Sequence, residues 1–327
     1  MKIWFLWDRE RDGPESESYE CRRFLEVGQA RGYDVRIYDP VQFKIMCGGG
    51  EKGTIFIDGK AEEQPDAIMT RLIATQTYLS LAILRHMLRN GVAVINRAAS
   101  IDKSFDKLRC MQILSQHNIP VPKTMFSKCP VDADLIEQQI GFPVVVKTLN
   151  GAQGGGVYLS ENKDNLRDIT GLMVHQGIDK SPVLFQEFIE FSRGRDIRAF
   201  VVGKKVLACM ERKSTDGSFK SNLTRGGAGT PVAITPEIER IAVSTAEALE
   251  LEIAGIDLLY TKDGYKVCEA NNAPGFKGLE TYCGISVPEK IYDYIEQRVK
   301  KNKQAQKGNV IQGFFGKLLG GGRRHAA

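Results

Sequence analysis

Asp257, Glu269 and Asn271 form the cluster of side-chain oxygens that first suggests a reactive site. They fall in the stretch from Gly255 to Gly275, which reads as two strands, 256–260 and 265–271, joined by a hairpin turn at Lys262-Asp263-Gly264 with glycine where positive φ is needed. With a three-residue loop, position 257 lies opposite 269, and strand alternation carries 271 onto the same face. Two carboxylates and an amide oxygen suit a hard divalent cation that keeps several waters and binds phosphate oxygens. An ordinary polar edge hairpin has the same composition, so the rest of the chain must discriminate.

Phosphate binding needs cations and backbone donors, and the chain offers both. Gly141-Phe-Pro-Val-Val-Val-Lys147 reads as an apolar strand ending in a lysine. Glycines 151, 154, 155 and 156 follow, and their lack of side chains lets backbone amides approach phosphate oxygens. The spacing is neither that of a P-loop nor that of a dinucleotide fingerprint. A merely flexible hairpin is the alternative, but Lys147 directly before it favours a phosphate flap. Lys107 falls on a helix read over 102–118, where a solvent-facing lysine is the plainer reading. Glu187 sits inside a strand over 182–189, where carboxylates are usually paired or at an edge. The polar segment 211–229 carries Arg212, Lys220, Asn222 and Arg225. Disorder is the bland reading of it, whereas a glycine-flanked arginine suits gripping a transferring phosphate. Arg71 ends an apolar strand, the place where crossover sheets present ligand-binding side chains, and reads equally well as a surface arginine.

The elements that position these groups begin with a β-α-β rhythm. Strands are expected at 2–7, 34–38, 67–71 and 92–96, with helices over 17–32 and 78–90, which implies a mostly parallel sheet in about the first 100 residues. Segments 195–203 and 205–210 read as a hairpin, 235–251 as a helix against the 256–271 pair, and 287–299 as the last helix.

Composition bounds the rest. At 327 residues, with 42% hydrophobic and 26% charged residues, the chain is long enough for two or three subdomains. It has no apolar run able to span a bilayer, and the first strand is too short to be a secretory segment, so a cytoplasmic protein is expected. Seven scattered cysteines without a C-x-x-C pair, and four histidines, argue against zinc, a disulfide framework or a histidine-centred catalyst. The net charge of +5 comes from seven basic residues beyond position 299, which leave the body at −2, so no nucleic-acid face is expected.

The order of motifs is that of a known family. Val-Val-Val-Lys with its glycine flap, Gln-Glu-Phe-Ile, Asp-Ile-Arg, Ser-Asn-Leu-x-Arg-Gly-Gly, Gly-Ile-Asp-Leu-Leu and Glu-Ala-Asn-x-x-Pro-Gly together resemble the ATP-grasp carboxylate–amine ligases. The RimK type, which adds glutamate to the C-terminus of a ribosomal protein, is the nearest likeness, with N-acetylaspartylglutamate synthases among its relatives. The likeness covers about residues 1–298. It implies the α/β (α+β) class, an ATP-grasp fold preceded by an N-terminal parallel α/β domain. The expected division is 1–100 for that domain, 101–185 for the central and lid subdomain, 186–300 for the subdomain with the metal site, and 301–327 for a disordered basic tail.

By resemblance, Lys107 and Lys147 hold ATP phosphates, Glu187 and Phe188 form the adenine hinge, and Asp196, Lys220, Ser221 and Asn222 contact nucleotide or metal. Gly154, Gly155 and Gly156 form the flap, and Asp257, Glu269 and Asn271 hold two Mg2+ or Mn2+ ions. Lys147 and Arg225 act in catalysis, Arg225 steadying the phosphate or the oxyanion, while Arg71 and Arg212 are candidate grips for substrate carboxylates. Asn272, where the family usually has a small residue, and Phe188, in place of a tyrosine, depart from the pattern. The implied reaction activates an acceptor carboxylate, of a protein C-terminus or a small acid, as an acyl phosphate for the amine of glutamate or another amino acid. A homo-oligomer, up to a tetramer, is expected, with no nucleic-acid or membrane partner. The rival reading is a non-enzymatic ATP-binding regulatory module. Val310, Ile311, Phe314, Phe315, Leu318 and Leu319 recur at helical spacing, but five nearby glycines favour disorder over an amphipathic docking helix.

Overall fold

In the computed structural model, residues 1–7, 17–47, 54–71, 77–148, 156–175, 182–221 and 227–320 are described. Two compact units emerge: residues 1–13, 21–98 and 288–327 form one, and 14–20 with 99–287 the other.

The first unit is built on a run of large apolar residues. Ile3, Trp4, Phe5 and Leu6 are fully buried in β1 (Lys2–Trp7), as a central parallel strand covered on both faces must be. α1 (Glu17–Ala30) leads to β2 (Asp34–Tyr38). A small antiparallel sheet of β3 (Phe43–Ile45), β4 (Ile55–Ile57) and β5 (Lys60–Glu62) precedes β6 (Ala67–Arg71). After α2 (Thr77–Arg89) comes β7 (Ala93–Ile95), and the parallel sheet has the order β2-β1-β6-β7. Phe5 stacks on Phe24 at 4.4 Å, and Tyr292 of the C-terminal helix meets both edge-on while its hydroxyl donates to Phe24 O at 2.6 Å. Gly28 permits this packing, because a Cβ there would stand 2.3 Å from Val35 and 2.7 Å from the Tyr292 hydroxyl.

The second unit holds two antiparallel sheets. α3 (Ala98–Phe105) and α4 (Lys107–Gln116) replace the single helix expected over 102–118. The break is at Asp106, whose carboxylate accepts the Arg109 N–H at 3.0 Å and caps a new helix. β8 (Thr124–Ser127), α5 (Ala133–Gln139), β9 (Val144–Thr148), β10 (Val157–Ser160), α6 (Lys163–His175) and β11 (Val183–Glu187) follow. They make a sheet of order β10-β9-β11-β8 whose core side packs Val144, Val146 and Phe185 against Ile136 and Leu166. The larger sheet takes β12 (Arg195–Val202), β13 (Lys205–Lys213), β14 (Ala228–Val232), β15 (Ile253–Thr261) and β16 (Gly264–Asn271) in the order β14-β13-β12-β15-β16. α7 (Pro236–Ala248), capped by Thr235, covers one face through Ile238, Ile241 and Ala242, which pack with Ile197, Ala199, Ile256 and Leu258. α8 (Lys277–Cys283) completes the unit. The opposite face of the larger sheet carries the charged residues.

The last helix does not stop near residue 299 but spans Val287–Gly320. Its continuation has local anchors. The side-chain amides of Asn302 and Gln306 both donate to Gly91 O at 2.6 Å, and Lys303 meets Asp66 at 2.7 Å. Gly91, at φ +84°, lies just beyond α2, and the two amides satisfy its backbone carbonyl. Residues 301–320 are therefore helical rather than an unstructured tail, and Pro288 onward groups with the first unit. The side chains of the expected amphipathic set, 310–319, lie outside the described residues. Among the described residues, no helix is long and apolar enough to cross a membrane.

Candidate active site

The β15–β16 hairpin brings Asp257 opposite Glu269 and Gly255 opposite Asn271, so the three oxygen-bearing residues share one face. The route differs from the one expected. Thr261 pairs with Gly264, which closes the turn over two residues rather than three and by itself would set Asp257 against Cys268. A bulge shifts the register between Asp257 and Leu258, making Cys268 the extra residue and restoring the pair of carboxylates.

Strand alternation carries the charge pattern across the sheet. Arg198 on β12 lies opposite Asp257, and Asp196 lies opposite Arg212 on β13. Arg198 grips the Asp257 carboxylate through Nε and Nη2, the latter at 2.9 Å. Arg212 Nη2 reaches Asp257 at 2.9 Å, while its Nε and Nη2 donate to Asp196 at 2.7 and 2.6 Å. Burial alone would raise the Asp257 carboxyl, but Arg198 and Arg212 outweigh it and hold it below the usual carboxylate range. Two carboxylates set directly opposite repel. Asp257 is offset by the arginines, whereas Glu269 is exposed and makes no ion pair or hydrogen bond among the described residues. The Asn271 amide donates to Gly255 O and Asp257, both at 3.3 Å, which leaves its carbonyl oxygen as the lone-pair atom. An exposed carboxylate, a charge-balanced one and an amide oxygen fit a hard cation. No group of three or more His, Cys, Asp or Glu suited to a metal occurs among the described residues, so the amide is needed to complete the set.

Lys147, at the end of β9, comes close to this hairpin. Its Nζ donates to Gln186 Oε1 at 2.6 Å and lies 3.7 Å from Cys268 Sγ, next in sequence to Glu269. Lys107 is the first residue of α4; burial lowers the pKa of its ammonium, Glu269 pulls it up and Lys147 lowers it further. Lys107, Lys147 and Glu269 thus form one electrostatic group. Gly156 closes the β9–β10 hairpin at φ +71°, where a Cβ would fall 2.0 Å from Thr148 Oγ1. Phe188 meets Phe219 edge-on at 6.4 Å and lies under the Arg193 guanidinium. Lys220 stands over Phe219, and Ser221 is buried.

Three of the expected site side chains have partners within the protein. Arg212, 7% exposed, is engaged by Asp196 and Asp257 and is not an open grip for a substrate carboxylate. Asp196 accepts both Arg212 bonds, from Nε and Nη2, through its carboxylate. The Glu187 side chain accepts from Lys266 Nζ at 2.7 Å and from the Lys123 N–H at 3.1 Å. Burial would raise its carboxyl, and these two donors hold it below its ordinary value instead. Asn222, Arg225, Gly154 and Gly155 lie outside the described residues. Arg71 is buried at the end of β6 in the first unit. The sequence assigns no role to Gln186, Arg198 or Cys268, although Arg198 follows from Asp196 by strand alternation on the same face.

Over residues 104–295 the chain matches the RimK-like ATP-grasp domain, and over 1–101 the RimK PreATP-grasp domain. It is 35% identical to "Probable alpha-L-glutamate ligase" of Thioalkalivibrio sulfidiphilus, over 90% of this chain and 97% of that one. The protein of the same name from Halorhodospira halophila is 38% identical, over 90% and 96%. Among solved structures, the ATP-grasp ligase PsnB complexed with minimal precursor, Mg and ADP aligns with a TM-score of 0.68 at 20% identity, over 91% of this chain and 98% of that chain, a likeness of fold.

Proposed function

The chain belongs to the RimK-like ATP-grasp family and carries its pre-ATP-grasp domain, and on that premise we propose how its residues work as an ATP-dependent ligase that joins the amine of glutamate to an acceptor carboxylate. The observation that carries the site assignment is the opposition of Asp257 and Glu269 beside Asn271, with Lys147 next to the same strand. Two Mg2+ or Mn2+ ions held by these three side chains would draw electron density from the phosphate oxygens of ATP and offset the charge that grows on transfer.

The chain's own groups do the rest. Lys107 and Lys147 donate to phosphate oxygens, Glu187 and Phe188 line the adenine, and Lys220, Ser221 and Asn222 border the nucleotide. The acceptor carboxylate attacks the γ-phosphorus in line, and ADP leaves with the electron pair of the broken bond. Gly154, Gly155 and Gly156 cover the acyl phosphate, which water would otherwise hydrolyse. The glutamate amine then attacks the acyl carbon, loses a proton, and phosphate departs; Arg225 steadies the oxyanion between these events. Arg71 grips a substrate carboxylate, while Arg212 keeps Asp257 and Asp196 in place. The acceptor is a protein C-terminus or a small acid. The protein works in the cytoplasm as a homo-oligomer, up to a tetramer, without nucleic-acid or membrane partners. A purely regulatory ATP-binding role is disfavoured by the intact set of three cation ligands.

Mass spectrometry of candidate acceptors, after incubation with ATP, Mg2+ and each amino acid, tests the reading. A glutamyl increment formed together with ADP is expected. ATP binding without ADP release for any combination would leave only the regulatory role.

A further inference from the structure

Lys147 is held by a chain of hydrogen bonds with only one workable polarity. Gln186, 4% exposed on β11, shares a sheet face with Lys147 on β9 and lies directly opposite Thr124 on β8. A buried amide must satisfy both its ends. Gln186 Oε1 accepts from Lys147 Nζ at 2.6 Å, and its Nε2 donates to Thr124 Oγ1 at 3.0 Å, with Met111 Sδ at 3.8 Å. The Thr124 hydroxyl gives its hydrogen to Pro122 O at 2.9 Å, so only lone pairs face Gln186. Turned over, the amide would set its NH2 against the ammonium and its oxygen against those lone pairs. The donor-only Lys147 ammonium and the Thr124 hydroxyl bonded to Pro122 O therefore favour the same orientation of Gln186.

We propose that Gln186, oriented by Thr124, is a positioning residue that presents the Lys147 ammonium to the nucleotide. The proposal rests on Lys147 binding a phosphate. An ammonium has three N–H donors. One is taken by Gln186 and one points to Cys268 Sγ, which leaves the third without a partner among the described residues and ready for a phosphate oxygen. A neutral acceptor is what the task requires. It fixes the lysine without cancelling its charge, whereas a carboxylate at the same position would form an ion pair that competes with phosphate. The adjacent Glu187 puts its negative charge on Lys266 instead.

The test compares Gln186→Glu, Gln186→Leu, Thr124→Val and Thr124→Ser by calorimetric affinity for a non-hydrolysable ATP analogue with Mg2+, by KM for ATP against kcat, and by thermal stability. Losing a hydrogen bond to a charged group predicts about tenfold weaker nucleotide binding for Gln186→Leu and at least that for Gln186→Glu, with roughly threefold for Thr124→Val. Thr124→Ser, which keeps the hydroxyl, restores most of the Thr124→Val loss. In a Lys147→Met background, Gln186→Leu should add less than about a twofold loss, because its effect passes through the lysine. A full additional loss in that background, or wild-type affinity in Gln186→Glu, overturns the proposal. Unchanged affinity in Lys147→Met alone would instead overturn the phosphate role of Lys147.

Discussion

Replacing Asp257 by asparagine should cost both activity and stability, while Glu269→Gln should cost activity alone. The difference follows from their surroundings. Asp257 is 4% exposed and lies between the Arg198 guanidinium and Arg212 Nη2 at 2.9 Å. With its charge removed, the poorly solvated Arg198 guanidinium loses the carboxylate it grips, and Arg212 keeps only that of Asp196. Removing one partner of a buried pair costs about 3–5 kcal/mol, and the oxygen that asparagine retains puts Asp257→Asn near the low end. About 3 kcal/mol corresponds to a fall in Tm of roughly 6–12 °C for a unit of 150–250 residues. Glu269 is exposed, and its loss should stay within about 0.5 kcal/mol. Thermal unfolding in EDTA, alongside ADP release with ATP, Mg2+ and glutamate, separates the two effects. Neither variant should turn over. An Asp257→Asn variant that melts with the wild type would contradict the arginine network, and normal ADP release by Glu269→Gln would contradict the cation site.

Burial pushes the Cys110 and Cys209 thiols up to about 12, so they keep their protons in the native state while unfolded thiols lose theirs from about pH 8.5. The stability present below that pH should decline progressively as pH rises towards 12, and Cys110→Val should flatten the slope; denaturant curves independent of pH between 8 and 11 would count against this. Asn302→Ala combined with Gln306→Ala strips both side-chain donors from Gly91 O and should lower urea stability by about 1–2 kcal/mol. An unchanged urea midpoint would mean that the helix extension rests on the first unit without supporting it. Gly156→Ala forces a side chain into φ +71° and against Thr148 Oγ1, at a cost of about 1–2 kcal/mol, and should weaken ATP binding. Wild-type nucleotide affinity in that variant would remove Gly156 from the flap.

Much of the geometry of the candidate site is legible in the sequence because strand alternation is a strict rule. Asp257, Glu269 and Asn271 fall on one face from spacing alone, and the pattern of apolar and charged residues marks β12 and β15. The turn length is not legible, since nothing local distinguishes a two-residue turn plus a bulge at Cys268 from a three-residue loop: both set 257 against 269. Which side chains are already paired was not legible. The partners Arg212–Asp196 and Lys266–Glu187 come from different strands, and Gln186 gains its meaning only from Thr124, 62 residues earlier. Two further signals are weak in the sequence. Asp106 can cap a helix as well as sit inside one, and the glycines beyond residue 308 argue against a helix that nonetheless runs to Gly320. Both are cases where a weak local propensity yields to capping or to tertiary anchoring.

The most direct measurement is a crystal structure of the protein with Mg2+ and a non-hydrolysable ATP analogue. Ions about 2.0–2.1 Å from oxygens of Asp257, Glu269 and Asn271 are expected, with the terminal phosphates bridging to them and to Lys147. Nucleotide bound with its phosphates away from that face, or metal held by other residues, would contradict the assignment of the site.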